Sequence, residues 1–92
     1  MRAAVMVFGT EIRAHLIRYF LRQPGPQKDA AEALGVARKT VSEHVAVLLD
    51  DGVLYAEPST DKRSAIFHVN VDRLRELLAA VPAFFFEDDP RD

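Results

Sequence analysis

The side chains whose types and spacing suggest chemistry lie close together in the middle of the chain: Arg38, Lys39, Ser42 and Glu43. They alternate with apolar residues, Val41, Val45, Leu48 and Leu49, at a spacing of i, i+4, i+7 and i+8, which predicts an amphipathic helix. Arginine and lysine donate hydrogen bonds to guanine, glutamate accepts from cytosine, and serine can do either. A DNA major groove about 12 Å wide admits one helix. The pattern therefore predicts a helix whose outer side contacts base edges, with Thr40 beside it for phosphate.

A second short helix precedes this one and fixes its direction. The segment "QKDAAEAL" is predicted to be helical up to Gly35, which is a strong turn signal. Ala31 lies four residues before this glycine, where a small side chain lets two helices approach closely. Two short helices joined by a tight glycine turn form a helix-turn-helix.

The rest of the chain supplies the supporting elements. An apolar stripe, from Ile12 to Leu21, predicts a first helix that begins after the cap residue Thr10 and ends at "QPGP". The segments "VLYAE" and "SAIFHVN" read as a hairpin around the polar turn "PSTDKR". Asp72 is expected to cap a last helix that Pro82 closes. The fold class is therefore mainly α with a small β-hairpin (α+β), in the order α-α-α-β-β-α.

Lysine and arginine residues at the hairpin tip and at the start of the second helix could contact the phosphate backbone of a nucleic acid. Lys62 and Arg63 belong to the exposed hairpin tip, where they would contact phosphate or the minor groove. Lys28 and the free amides at the start of the second helix could hold another phosphate. A solvated charged surface without a ligand remains the alternative.

The overall charge is less informative than its distribution. The chain carries −2, but its last eleven residues hold four carboxylates against one arginine, so residues 1–81 carry +1. We therefore separate a domain, residues 1–81, from an acidic, aromatic-bearing tail, residues 82–92. We call the domain the body, and its net charge of +1 is compatible with a polyanionic partner.

Several function classes are excluded or disfavoured. With no cysteine, disulfides and thiolate metal sites cannot form, and His15, His44 and His68 belong to different elements, so we expect no metal and no cofactor. The chain has no glycine-rich phosphate loop and no nucleophile beside a base, so we expect no enzyme. The apolar start is too short for a membrane span and lacks a cleavage site. We expect a soluble, cytoplasmic protein without a membrane partner.

The run "LGVARKTVSEHVAVLLDDGVL", followed by the basic-tipped hairpin and an amphipathic helix, resembles the winged helix-turn-helix repressors of the arsenical-resistance (ArsR) family over about residues 9 to 81. The resemblance implies a homodimer on a partly palindromic operator, with the base-reading helix and the hairpin wing of each subunit on one half-site. The chain departs from the family pattern in lacking the cysteine motif of its thiolate metal sensors. It also has Ala37 where a serine commonly caps the base-reading helix.

A dimer interface, called the seam below, would explain two apolar patches that a core this small cannot easily bury. One is near the N-terminus, at Val5 and Val7, and the other is on the last helix, at Leu74, Leu77, Leu78 and Val81. The alternative is that each patch packs on its own domain. Phe84, Phe85 and Phe86 could complete the seam, dock on another protein or cover the core.

Two functions from different classes remain. The first is a sequence-specific double-stranded DNA-binding regulator, acting as a repressor that occludes a promoter. The second is a winged-helix module that binds a protein, which the near-neutral body, the acidic tail and the three phenylalanines favour.

Overall fold

The computed structural model describes residues 11–58 and 65–86. The elements are α1 (Glu11–Arg22), α2 (Gln27–Leu34), α3 (Arg38–Asp50), β1 (Leu54–Glu57), β2 (Ile66–Val69) and α4 (Val71–Phe86). This is the order predicted from the sequence, and the mainly α class with one hairpin is confirmed. Thr10, Val5, Val7, Lys62 and Arg63 lie outside the described residues, as do residues 87–92.

The core is built from the predicted apolar stripes of all four helices and from the hairpin. Phe20 in α1 is fully buried and contacts the rings of Tyr19, at 5.4 Å between centroids, and of Phe67 in β2, at 6.0 Å. The contact with Phe67 joins α1 to the hairpin. Among the residues whose burial the structure describes, the buried hydrophobic ones are Leu16, Ile17, Phe20, Ala30, Ala31, Val41, Val45, Leu48, Val53, Leu54, Phe67, Leu74 and Leu77.

The turn between α2 and α3 has the geometry that its sequence predicts. Gly35 has a φ of 64°, a left-handed conformation that glycine adopts without steric cost. The Val36 amide donates to the Ala31 carbonyl at 3.0 Å, which closes the end of α2. Ala31 is buried, as expected for a small residue in a helix-turn-helix. The turn therefore sets the direction of α3.

Helix α3 ends at a second glycine and is joined there to α4. Gly52 has a φ of 78°, and the Val53 amide donates to the Leu48 carbonyl at 2.9 Å. Arg73 of α4 donates from Nε to the carbonyl of Asp51 at 2.8 Å. The start of α4 is thus bonded directly to the C-terminal end of α3.

The "QPGP" segment makes a backbone contact with the hairpin that the sequence does not predict. Strands β1 and β2 pair antiparallel from Leu54 opposite Val69 to Glu57 opposite Ile66. Gly25 makes two further backbone bonds with Phe67, at 3.3 and 2.9 Å. The sequence predicts only that α1 ends in this segment, but the segment forms a short third edge that attaches the end of α1 to the wing.

Both predicted ends of the last helix were wrong. Asn70, not Asp72, accepts the capping hydrogen bond, from the Arg73 amide to Oδ1 at 3.1 Å, and α4 begins at Val71. The helix also continues through Pro82 to Phe86. Proline removes the bond to the carbonyl four residues earlier, and that residue, Leu78, is 51% exposed, so the missing bond lies on the solvent side of the helix. Helix α4 crosses the boundary proposed between residues 81 and 82, and a separate role for the tail stays a prediction.

Candidate nucleic-acid interface

Helix α3 has one fully buried side and one exposed polar side. Val41, Val45 and Leu48 have no exposed surface. Because these residues fix the rotation of the helix, the four candidate base-contacting residues all face solvent: Arg38, Lys39, Ser42 and Glu43. Thr40 is half-buried at the edge of this side. The structure therefore brings these polar side chains together on one accessible surface, as the helical spacing predicts.

Lys39 and Glu43 could have neutralised each other as an i, i+4 pair. Within residues 11–58 and 65–86, the ion pairs are His15 with Glu11, His68 with Glu57, and Arg73 with Glu76. Neither Lys39 nor Glu43 belongs to this set. Their charged groups are therefore available to a ligand on the exposed side of α3.

The N-terminal ends of α2 and α3 both lack a side-chain cap. Ala37 precedes α3 with φ −58° and ψ 140°, outside the helical range, and makes no side-chain capping bond. Pro26 precedes α2 and likewise provides no capping side chain, while Lys28 is exposed in its first turn. Amides at such ends carry partial positive charge and bind anionic oxygen. The absence of a serine at position 37 thus leaves donors free at the end of α3 that carries Arg38 and Lys39.

A contact that the sequence does not predict joins α1 to the middle of α3. Arg13 donates from Nε to Nδ1 of His44 at 3.1 Å. His44 therefore accepts through Nδ1 and carries its proton on Nε2 when neutral. The two residues are 31 positions apart, so no local pattern identifies the pair. The contact adds a polar tether to the apolar packing that positions the exposed side of α3.

The wing carries a polar and aromatic cluster on its strands. The rings of Tyr55 and His68 stack at 5.2 Å between centroids, with 16° between their planes. Nε2 of His68 lies 2.7 Å from Oε2 of Glu57. These contacts join β1 to β2 near the hairpin turn. Lys62 and Arg63 follow in the part of the turn outside the described residues, so their contact with phosphate or the minor groove stays a prediction.

The residues proposed for a dimer seam are divided between the inside and the outside of α4. Leu74 and Leu77 are 8% and 3% exposed and belong to the protein's own core. The expectation that they lie in a seam is corrected, because α4 packs them against its own domain. Leu78 is exposed and Val81 is half-buried, and exposed Val71 extends the outward apolar surface.

Metal ligands do not cluster in the described part of the chain. Among residues 11–58 and 65–86, no three histidine, aspartate or glutamate side chains are arranged to hold an ion. His15 contacts Glu11 within α1, and His68 contacts Glu57 across the hairpin, so the two pairs belong to different elements. In the same residues, no helix combines the length and the apolar character needed to cross a bilayer.

No family model and no curated protein matches the chain. Solved structures resemble it over most of its length. An ArsR-like transcriptional regulator from Rhodococcus sp. RHA1 superposes with a TM-score of 0.79 at 16% identity, covering 98% of this chain and 81% of that one. A possible transcriptional regulator for arsenical resistance has a TM-score of 0.77 at 19% identity, covering 91% and 85%.

A third similar structure is the homodimeric winged helix-turn-helix DNA-binding domain of a possible ArsR-family transcriptional regulator from Mycobacterium bovis. Its TM-score is 0.71 at 17% identity, and the match covers 89% of this chain and 76% of that one. All three matches fall below 20% identity, so they establish the fold. The chain has the winged helix-turn-helix fold, in the form found in structures named as ArsR-like transcriptional regulators.

Proposed function

We propose that the chain is a sequence-specific double-stranded DNA-binding regulator that acts as a homodimer on a partly palindromic operator. The observation that carries this proposal is the exposed side of α3, where four polar residues occupy the first two turns after an uncapped helix start, and the charged ones form no ion pair among the described residues. The proposed mode of action is repression by occlusion of a promoter, in the cytoplasm. No chemical step is part of this function.

Base recognition is assigned to the exposed side of α3. Arg38 and Lys39 are suited to guanine, Glu43 to cytosine and Ser42 to either base. Each well-placed pair discriminates against a wrong base by about 1–3 kcal/mol. Arg38 lies nearer the buried edge of the helix than Lys39, so its guanidinium also suits phosphate.

Affinity is assigned to phosphate contacts around this surface. Lys28 and Thr40 flank the uncapped starts of α2 and α3, and Lys62 and Arg63 belong to the wing turn. Each phosphate contact releases counterions and contributes about 0.9 to the slope of log affinity against log salt. The near-neutral charge of the body makes such local contacts, rather than net charge, the source of affinity.

The homodimer is supported by apolar surface that the monomer leaves uncovered. Leu78 and Val71 are 51% and 41% exposed on one helix. The similar structure from Mycobacterium bovis is named as homodimeric. A two-fold dimer would present two copies of α3 to the two half-sites of an operator.

Selection of bound duplexes from a random DNA pool tests the proposal directly. We expect a consensus with two-fold symmetry, bound with an affinity that falls steeply as salt rises. Lys39→Ala should relax the preference at one position of each half-site, whereas Lys28→Ala should weaken all sequences alike and flatten the salt slope.

Arg75→Ala is the matched control, because Arg75 is also exposed but lies on α4, outside the set of residues proposed to contact DNA. It should leave both the consensus and the slope unchanged. A pool that yields no enriched sequence at low salt would rule out the regulator and favour the winged-helix module that binds a protein.

A further inference from the structure

His44 lies on a flank of α3, between the buried side of the helix and its exposed side. It follows Thr40 by one helical turn, so the two side chains share this flank, and both are half-buried. A helix with its side chains is about 10–12 Å across, and a major groove is about 12 Å wide. When such a helix lies in the groove, its flanks face the phosphate backbones that form the groove walls. The position of His44 therefore suits a contact with phosphate.

The two ring nitrogens of His44 have different surroundings. Nδ1 accepts a hydrogen bond from Nε of Arg13 at 3.1 Å. Nε2 has no hydrogen-bond partner among residues 11–58 and 65–86. Since no buried side-chain nitrogen or oxygen in these residues lacks a partner, Nε2 is in contact with solvent. The nitrogen that Arg13 does not occupy is thus the one that a ligand can reach.

Arg13 determines which of these nitrogens carries the proton. The Nε–H of a guanidinium can only donate, and arginine is not deprotonated in proteins. Its bond to Nδ1 therefore requires the lone pair of Nδ1, so the ring is neutral and its proton is on Nε2. The bond also holds the ring in one orientation. Both effects prepare Nε2–H as a donor before any ligand binds.

We propose that His44 donates from Nε2 to a backbone phosphate of the operator, and that Arg13 is the positioning residue that holds its ring and its tautomer. The proposal deepens the proposed function and rests on it. The ring of His44 is neutral in this contact, so it neutralises no phosphate and releases no counterions, unlike Lys28. A contact with phosphate also carries no base information. Loss of the contact should therefore weaken binding to all DNA sequences alike and leave the salt slope unchanged.

Two substitutions of His44 separate the roles of its nitrogens. The amide nitrogen of glutamine can place a donor where Nε2 lies, and the amide oxygen of asparagine can place an acceptor where Nδ1 lies. His44→Asn keeps the acceptor for Arg13 but loses the donor, and should weaken operator binding by about tenfold. His44→Gln keeps the donor and should lose only about threefold, because its more flexible side chain has to be ordered. Equal losses for the two variants, or a changed salt slope, would overturn the contact.

Arg13→Met tests the positioning role. In the unsubstituted chain it should weaken operator binding by about fivefold, because the ring of His44 then has to be ordered on binding. In the His44→Gln chain it should cost nothing further, because the donor of glutamine does not depend on Arg13. Arg18→Met is the matched control, since Arg18 is exposed on the same helix, and it should leave the affinity unchanged. An equal loss from Arg13→Met in both chains would overturn the positioning role.

Nuclear magnetic resonance of the ring nitrogens tests the tautomer in the unsubstituted chain. At about pH 8, above the usual titration range of histidine, Nδ1 of His44 should be unprotonated and Nε2 protonated. Addition of the operator should shift the Nε2 signal of His44 but not that of His15, which is exposed on α1. A proton on Nδ1 would overturn the proposal.

The same titration separates this proposal from the proposed function. A chain that binds the selected operator while the Nε2 signal of His44 stays unmoved would overturn the phosphate contact alone. A chain that binds no DNA at low salt would overturn the regulator and, with it, the contact. A shift of Nε2 that Arg13→Met abolishes would support both the contact and the positioning role.

Discussion

Arg73 is expected to be the main polar link between α4 and the end of α3. Its Nε donates to the Asp51 carbonyl at 2.8 Å, and its Nη1 donates to Oε1 of Glu76 at 2.6 Å. The Asp51 carbonyl belongs to the end of α3, where carbonyls lack partners within the helix and a cation is favourable. Glu76, by contrast, is 70% exposed, so that water competes for its carboxylate. The carbonyl bond should therefore contribute more to stability than the ion pair.

Arg73→Met isolates the contribution of the guanidinium. A β-carbon built on Gly52 would lie 3.7 Å from Cγ of Arg73, so the aliphatic stem covers this glycine, and methionine preserves the stem. A hydrogen bond from a charged donor contributes about 1.5–3 kcal/mol. Because the side chain is 29% exposed, water recovers part of this. We expect a loss of about 1–2 kcal/mol, or roughly 5–15 °C in melting temperature for a domain of this size.

Urea unfolding at one fixed protein concentration measures the loss, since self-association would make stability depend on concentration. The slope of free energy against urea should not change. Glu76→Gln is the matched control and should cost at most about 0.5 kcal/mol, as for other exposed ion pairs. If Glu76→Gln cost as much as Arg73→Met, the carboxylate would be the important partner and our reasoning about the carbonyl would be wrong.

Three further substitutions test the turn, the core and the self-association surface. Gly35→Ala should lower the free energy of unfolding in urea by about 1 kcal/mol, because φ is 64°. The cost should stay this small because no neighbouring atom lies within 4 Å of the added carbon. Gly35→Asn should cost less, and equal costs for the two substitutions would contradict a purely conformational effect. Phe20→Ala should cost about 3–5 kcal/mol and abolish most near-ultraviolet circular dichroism, whereas Leu21→Ala, at a site 46% exposed, should cost less than about 1 kcal/mol. Leu78→Lys should weaken self-association in sedimentation equilibrium without unfolding the chain, and a dimer as stable as that of the exposed control Ala79→Lys would exclude Leu78 from the seam.

The helices and the buried side of α3 could be predicted because their signals are local. Val41, Val45 and Leu48 follow the helical period, and a period that matches one side of a helix identifies the side that is buried. Gly35 and Gly52 indicate the turns because few other residues adopt positive φ. The exposure of Lys39 and Glu43 follows from the same geometry. Their contact with DNA is a chemical inference from residue type, and it depends on the binding experiments.

The contacts between distant segments could not be predicted from the sequence. Gly25 pairs with Phe67, and Arg13 bonds to His44, only because the packed core brings these segments together. The end of α4 was missed for a different reason. Proline usually ends a helix because a backbone bond is lost, and the cost is lower where the freed carbonyl faces water. That exposure is a property of the folded chain, so Pro82 alone does not reveal it.

Helix α4 shows why a core and a dimer surface look alike in a sequence. Leu77 and Leu78 are adjacent and equally apolar, but neighbouring side chains on a helix point about 100° apart. One is 3% exposed and the other 51%. In a chain of 92 residues, the monomer buries a limited share of its apolar surface. When the apolar stripe of a helix is wider than the surface that the core covers, the residues at the edge of the stripe stay exposed. Which residues lie at this exposed edge depends on how α4 is placed on its own domain. The contact of Arg73 with Asp51 helps to fix that placement.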